Sequence, residues 1–295
     1  LQGVLFALIT VIIWSGNYVV ARDIITAVPP IAVAFFRWFT ATVLIFILFG
    51  KRVFAEKKLL WQHKWHIFFS ALTGVAIFNT FIYLAGHYTQ AINLALIGTT
   101  VAPLIAVFLS AVVFKEKVKL IKKLGIIISL VGILLLLSKG NFYNLINFHF
   151  SKGDILMLIS ATAFAIYNLL VKTKPTSVNP FAYLATTFLV GTIMILPFYV
   201  AELMMSNIKV HVNIKNISTF LYLGAGNSVI GFLLWNKSIK LLGASTTVLF
   251  TNLIPLFSAM EAIVFLQEPF YWFHIVSGII IISGVVMATL TSTKK

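Results

Sequence analysis

The chain has 295 residues, 60% of them hydrophobic and 10% charged, with no cysteine. Soluble domains run near ~45–50% apolar and ~25% charged, so a soluble fold, a disordered chain and a disulfide scaffold are excluded. The formal net charge is +15. No polar segment is long enough to form a nucleic-acid-binding domain, so no nucleic acid partner is expected. The basic excess instead reads as positive-inside bias and attraction to anionic lipid.

The first apolar run leads straight into Trp14-Ser15-Gly16-Asn17, with no basic leader and no small-residue cleavage site. It reads as a first membrane span, not a removed signal peptide. Further apolar stretches follow, ten in all, near 3–21, 31–49, 66–84, 91–113, 122–138, 154–171, 181–201, 217–236, 243–266 and 271–290. Each is long enough for a helix to cross ~30 Å of hydrocarbon. A transmembrane barrel would alternate apolar and polar residues at period two. Runs such as Ile126 to Leu137 are apolar on every side.

Placing the N-terminus inside puts sixteen Lys and Arg in inner loops and the tail, and five in outer loops, with Arg37 inside a span. That bias predicts a multi-pass protein of a bacterial-type inner (plasma) membrane with both termini cytoplasmic.

The two halves match. Gly3 and Gly153, Pro30 and Pro180, and Thr42 and Thr192 pair at an offset of 150. Gly74 and Gly226, Thr99 and Thr251, Pro103 and Pro255, Glu116 and Glu268, and Gly132 and Gly284 pair at 152. Five spans per half is an odd number, so the second copy enters the membrane from the opposite side. The expected fold is all-α integral membrane: ten transmembrane helices as two inverted five-helix repeats, 1–140 and 151–292. Such symmetry belongs to secondary transporters that expose one central site to either side.

These features carry a resemblance. Trp14-Ser15-Gly16-Asn17-Tyr18, Pro30 followed by Phe36-Arg37-Trp38, Pro103 with Glu116 and Gly125…Gly132, and Pro255 with Glu268, Gly278 and Gly284 are similar to the pattern of the drug/metabolite transporter superfamily, EamA type. The sequence departs from that pattern at Ser15, where the family often has Gly, and at Phe164, the second-half counterpart of Trp14. The resemblance implies a central cavity and outward transport of small organic solutes. It does not imply which solute.

Arg37 and Glu261 are the formal charges well inside spans. A charge at the centre of a span costs ~2.5–3.5 kcal/mol on insertion scales, so such residues are functional candidates. Both lie roughly 8–9 Å below the outer surface, counting ~1.5 Å per residue from the span ends. They are expected to form an ion pair or an outer-gate contact, or else to snorkel separately. Their repeat counterparts are Thr187 and Leu109, so each charge is present in one half only.

Helical spacing places Phe257 on the Glu261 face and turns Asn252 away from it. It also groups Trp14 with Asn17 and Tyr18, Asn79 with Tyr83, and Phe164 with Tyr167 and Asn168, and separates Asn227 from Trp235. With Arg37 and Trp235, these residues are expected to line an aromatic cavity carrying a few amides. Interfacial belts and helix glue are the structural alternatives. Pro103 and Pro255 are candidate hinges. Glu116 and Glu268 read as helix caps or lysine partners.

Six histidines show no metal spacing, and there is no Walker loop and no GxSxG motif. No catalytic residue, metal or cofactor is expected. The expected function is secondary active or facilitative export of small organic metabolites (amino acids or related compounds) by alternating access. Protons are a candidate coupling ion, membrane lipid surrounds the protein, and the assembly is a monomer or homodimer. The alternatives are multidrug or cationic-compound efflux by proton antiport, a membrane-embedded enzyme, and a channel. An enzyme would need clustered polar catalytic residues, and a channel a continuous polar stripe. Neither is visible.

Overall fold

Runs of Leu, Ile, Phe, Val and Ala supply nothing to satisfy a backbone in hydrocarbon, so each run must close its own hydrogen bonds. A computed structural model of the chain does this with helices. It describes residues 1–24, 28–89, 91–115, 118–141, 143, 151–205, 214–267 and 269–290, without the side chains of 18–24, 91–96, 215, 266 and 290. Glu116, Glu268 and the side chain of Tyr18 therefore lie outside the described residues.

The helices are α1 (Gln2–Ile24), α2 (Pro30–Ala55), α3 (Lys57–Gln62), α4 (Lys64–Ala71), α5 (Phe78–Ala85), α6 (Ala91–Val113) and α7 (Leu120–Leu137). They continue with α8 (Lys152–Lys172), α9 (Pro180–Met205), α10 (Ile214–Leu221), α11 (Gly231–Leu242), α12 (Ala244–Thr247), α13 (Ile254–Leu266) and α14 (Trp272–Leu290). A π-helical segment, Leu72–Ile77, joins α4 to α5, and a second, Tyr222–Ile230, joins α10 to α11. A 3-10 segment, Val248–Leu253, joins α12 to α13.

Among the described residues, eight helical stretches are long and apolar enough to cross a membrane. Two shorter apolar stretches, Gln2–Asn17 and Ile97–Val113, lie within α1 and α6. Large apolar side chains point outward along the bundle; Ile47 and Phe265 are each 74% exposed. That surface suits contact with lipid tails rather than water. On α3 and the start of α4, Trp61 and Trp65 are exposed. The Lys64 ammonium stands 4.6 Å from the Trp61 ring, an arrangement suited to a headgroup interface.

The helices pack between the two halves of the chain. Helix α2 lies on α9 and α7 on α14, while α1 packs on α11 and α13 and α8 packs on α5 and α6. Small residues set the closest approach. A Cβ on Gly125 would lie 2.5 Å from the Ala288 amide nitrogen, and one on Gly132 2.8 Å from that of Ile281. One on Gly284 would run into the Ser129 amide. Only hydrogen at these positions lets the two backbones touch.

Three acidic residues serve as helix caps. Glu202, on α9, accepts from the Ile31 and Ala32 amides at 3.0 and 2.7 Å, at the first turn of α2. Glu56, after α2, accepts from the Asn179 amide at 2.8 Å, at the start of α9. Asp154 completes a capping box with Ser151 and also accepts from the Thr89 hydroxyl at 2.6 Å. Each carboxylate meets backbone N–H groups with no intrahelical partner, at the positive end of the helix dipole. Among the acidic side chains described at their contacts, Glu261 alone does no capping.

Candidate functional site

Glu261 sits two turns into α13 and faces α1. The Ser15 hydroxyl donates to its Oε1 at 2.6 Å. The same hydroxyl oxygen is also 2.6 Å from the Ile12 carbonyl, so one proton faces two acceptors. Glu261 Oε2 is buried and has no hydrogen-bond partner among the described residues. An uncapped, half-satisfied carboxyl within a span is costly to keep.

Arg37 lies on α2 and is only 4% exposed. Its Nε donates to Ser228 Oγ at 2.9 Å and its Nη1 to Tyr83 OH at 3.2 Å. Tyr83 in turn donates to Asn17 Oδ1 at 3.3 Å, and Ser228 donates to the Leu223 carbonyl at 3.0 Å. The guanidinium carbon is 5.3 Å from the Trp38 ring. All these partners are neutral.

The two charges therefore do not form the direct ion pair weighed from their common depth. Among the described residues, Arg37 is bonded to a serine and a tyrosine, and Glu261 to a serine. Tyr222 stands on the Glu261 side, against Gly16. Its hydroxyl donates to the Ile13 carbonyl at 2.9 Å. Gly16 faces the same spot. A Cβ there would strike the Tyr222 hydroxyl and come within 3.5 Å of Glu261 Oε2.

The aromatic candidates form a packed layer next to this polar centre. The Trp14 ring is 5.7 Å from Phe164, 4.8 Å from Trp235 and 5.7 Å from Phe232. Trp14 Nε1 donates to the Asn227 carbonyl at 2.9 Å, and Trp235 Nε1 donates to Asn168 Oδ1 at 2.7 Å. Tyr167 donates to Asn236 Oδ1 at 3.2 Å. Trp14, Tyr167, Asn168 and Trp235 are thus brought together, but they are closed on one another and buried. Phe257 is partly buried against the same core. Asn79 turns to its own backbone, donating to the Gly74 carbonyl at 3.3 Å. Asn252 faces away from Glu261, as its spacing predicts, and donates to Ser129 Oγ at 2.8 Å.

Pro103 and Pro255 match in sequence but not in surroundings. Pro103 is inside the continuous helix α6. Pro255 stands at the first turn of α13, immediately after the 3-10 segment. The second-half span is therefore interrupted where the first-half span is not. No group of His, Cys, Asp or Glu among the described residues could hold a metal.

Ser15, Tyr222 and Ser228 belong to this centre, and spacing rules did not pick them out. Tyr222 and Ser228 lie in a π-helical segment, where i→i+5 bonding replaces the ordinary helical repeat. The cue for Ser15 was its place between Trp14 and Gly16.

Apolar helices long enough to cross a membrane define a polytopic membrane protein, and the comparisons specify a transporter. The model of the EamA-like transporter family matches residues 1–138 and again 151–290, and the chain belongs to that family. An uncharacterized transporter of Archaeoglobus fulgidus is 28% identical over 288 residues, covering 95% of each chain. The uncharacterized transporter YyaM of Bacillus subtilis is 25% identical over 252 residues, covering 84% of this chain and 80% of its own. A crystal structure with 18% identity superposes with a TM-score of 0.78 over 98% of this chain and 97% of the other, a likeness of fold.

Proposed function

We propose that this membrane transporter is a ten-span secondary transporter built from two inverted five-helix repeats. It exports small organic metabolites, amino acids or related compounds, across a bacterial-type inner membrane by alternating access. Several contacts support the repeat. The matched residues Thr42 and Thr192 bond to each other at 2.9 Å, and the matched Trp14 and Phe164 are in ring contact. Gly132 packs on Ile281, and its counterpart Gly284 packs on Ser129, the counterpart of Ile281. A two-fold axis between the halves produces such reciprocity. The two π-helical segments fall in matched spans, and irregular backbone at membrane depth marks the working parts of transporters.

The observation that carries the coupling proposal is the Glu261–Ser15–Ile12 geometry. Ser15 has one proton for two acceptors at 2.6 Å. With Glu261 ionised, one acceptor goes without. With Glu261 protonated, the acid donates to Ser15 Oγ and Ser15 donates to the Ile12 carbonyl. The site then suits a carboxyl that alternates between the two forms as α13 moves, and protons are the coupling ion. Pro255 and the 3-10 segment before it act as the hinge. Both termini are cytoplasmic on this reading.

The test is solute transport in proteoliposomes with and without an imposed pH gradient. The gradient accelerates wild-type transport, and in Glu261→Gln it has no effect while solute exchange at equal pH persists. Transport insensitive to pH in the wild-type protein removes proton coupling. Failure of counterflow altogether removes alternating access and favours a channel.

A further inference from the structure

Among the described residues, Arg37 is a buried cation without a counter-ion. Among the described residues its partners are the Ser228 hydroxyl, the Tyr83 phenol and the face of Trp38. A guanidinium has more N–H donors than the two that protein acceptors take here. A charge held at membrane depth by neutral groups alone remains expensive. Glu261 is turned instead to Ser15. Among the described residues, the two charges inside spans are thus kept apart and no carboxylate meets the positive one.

We propose that the missing counter-ion is the transported solute itself, and that Arg37 binds a carboxylate on it. This rests on the transporter reading above and specifies the chemical class of its cargo. A planar guanidinium matches a carboxylate through paired N–H donors. Ser228 and Tyr83 hold the group from two sides, and the Trp38 face limits its rotation. Tyr83 accepts from Arg37 and donates to Asn17, which orients the donors before the solute arrives. One guanidinium balances one negative charge, so a monoanionic carboxylate fits better than a dianionic phosphate ester. A cation without an acid group meets Arg37 as a like charge. The site thus selects carboxylate-bearing solutes over simple cationic compounds.

The experiment measures binding to purified protein by thermal shift and calorimetry, with probes of matched skeleton. The acids are leucine, phenylalanine, isocaproate and hydrocinnamate. Their controls are leucinamide, phenylalaninamide, isoamylamine and phenethylamine. Acids are expected to stabilise the protein, and amides and amines are not. Arg37→Gln should weaken acid binding by ~10- to 100-fold, as expected when a hydrogen bond to a charged group is lost, and Arg37→Lys should recover part of it. The Tm of both variants without probe reports whether they fold. Equal binding of amides or amines, undiminished acid binding in folded Arg37→Gln, or no acid binding at all overturns the proposal. Acid binding without transport in proteoliposomes leaves it standing and removes the transport cycle. Amine transport without acid binding does the reverse.

Discussion

Ser15 and Glu261 meet at 2.6 Å across the contact between α1 and α13, joining the first-half span that opens the chain to the interrupted span of the second half. Among the described residues it is the one hydrogen bond of the Glu261 carboxyl. Ser15→Ala leaves both carboxyl oxygens without a partner. Transport driven by a pH gradient should fall by ~5- to 10-fold, the effect of losing one buried hydrogen bond. Parallel rates in proteoliposomes, with Tm recorded for each protein, check this.

Gly16 and Tyr222 form a steric pair. A Cβ at position 16 strikes the Tyr222 hydroxyl, so Gly16→Ala must displace the ring and break its bond to the Ile13 carbonyl. Overpacking of this kind costs ~1–3 kcal/mol. The double variant Gly16→Ala with Tyr222→Phe removes the struck atom and should recover most of the lost Tm. Without recovery, the clash lies elsewhere.

Glu202 caps α2 and Glu56 caps α9, each from the neighbouring helix. Glu202→Gln and Glu56→Gln should each lose ~0.5–2 kcal/mol, the usual worth of a cap. Per-molecule transport should be unchanged, because neither group touches the central charges. Denaturation in detergent beside a transport assay separates this from a role in the cycle.

The α7–α14 seam tolerates no side chain at Gly284, where a Cβ meets the Ser129 backbone. Gly50 has only the Phe46 side chain nearby, at 3.5 Å. Gly284→Ala should therefore lower Tm clearly, by ~1–3 kcal/mol in stability, whereas Gly50→Ala should be neutral or slightly stabilising, since Ala favours helix over Gly.

Pro255 follows an interruption and Pro103 does not. Pro255→Ala restores an amide donor at a helix start and should slow turnover at unchanged solute affinity. Pro103→Ala should affect turnover less. Equal effects on the two rates would place the hinge outside the 3-10 segment.

The amino-acid pattern by itself determined the membrane class, the paired halves and the two charges inside spans. Hydrocarbon forces apolar runs into helices, and a charge stands out against them. The aromatic and amide candidates were legible as residues on shared faces, because regular helix obeys a fixed period. Only the tertiary structure decided their partners. Trp14, Tyr167, Asn168 and Trp235 close on one another as a packed layer. Arg37 turns to Ser228 and Tyr83, and Glu261 to Ser15. Depth along a span can be counted from residue numbers. Direction around it is set by π and 3-10 segments, where the ordinary period fails, and by packing between residues 46 to 246 positions apart.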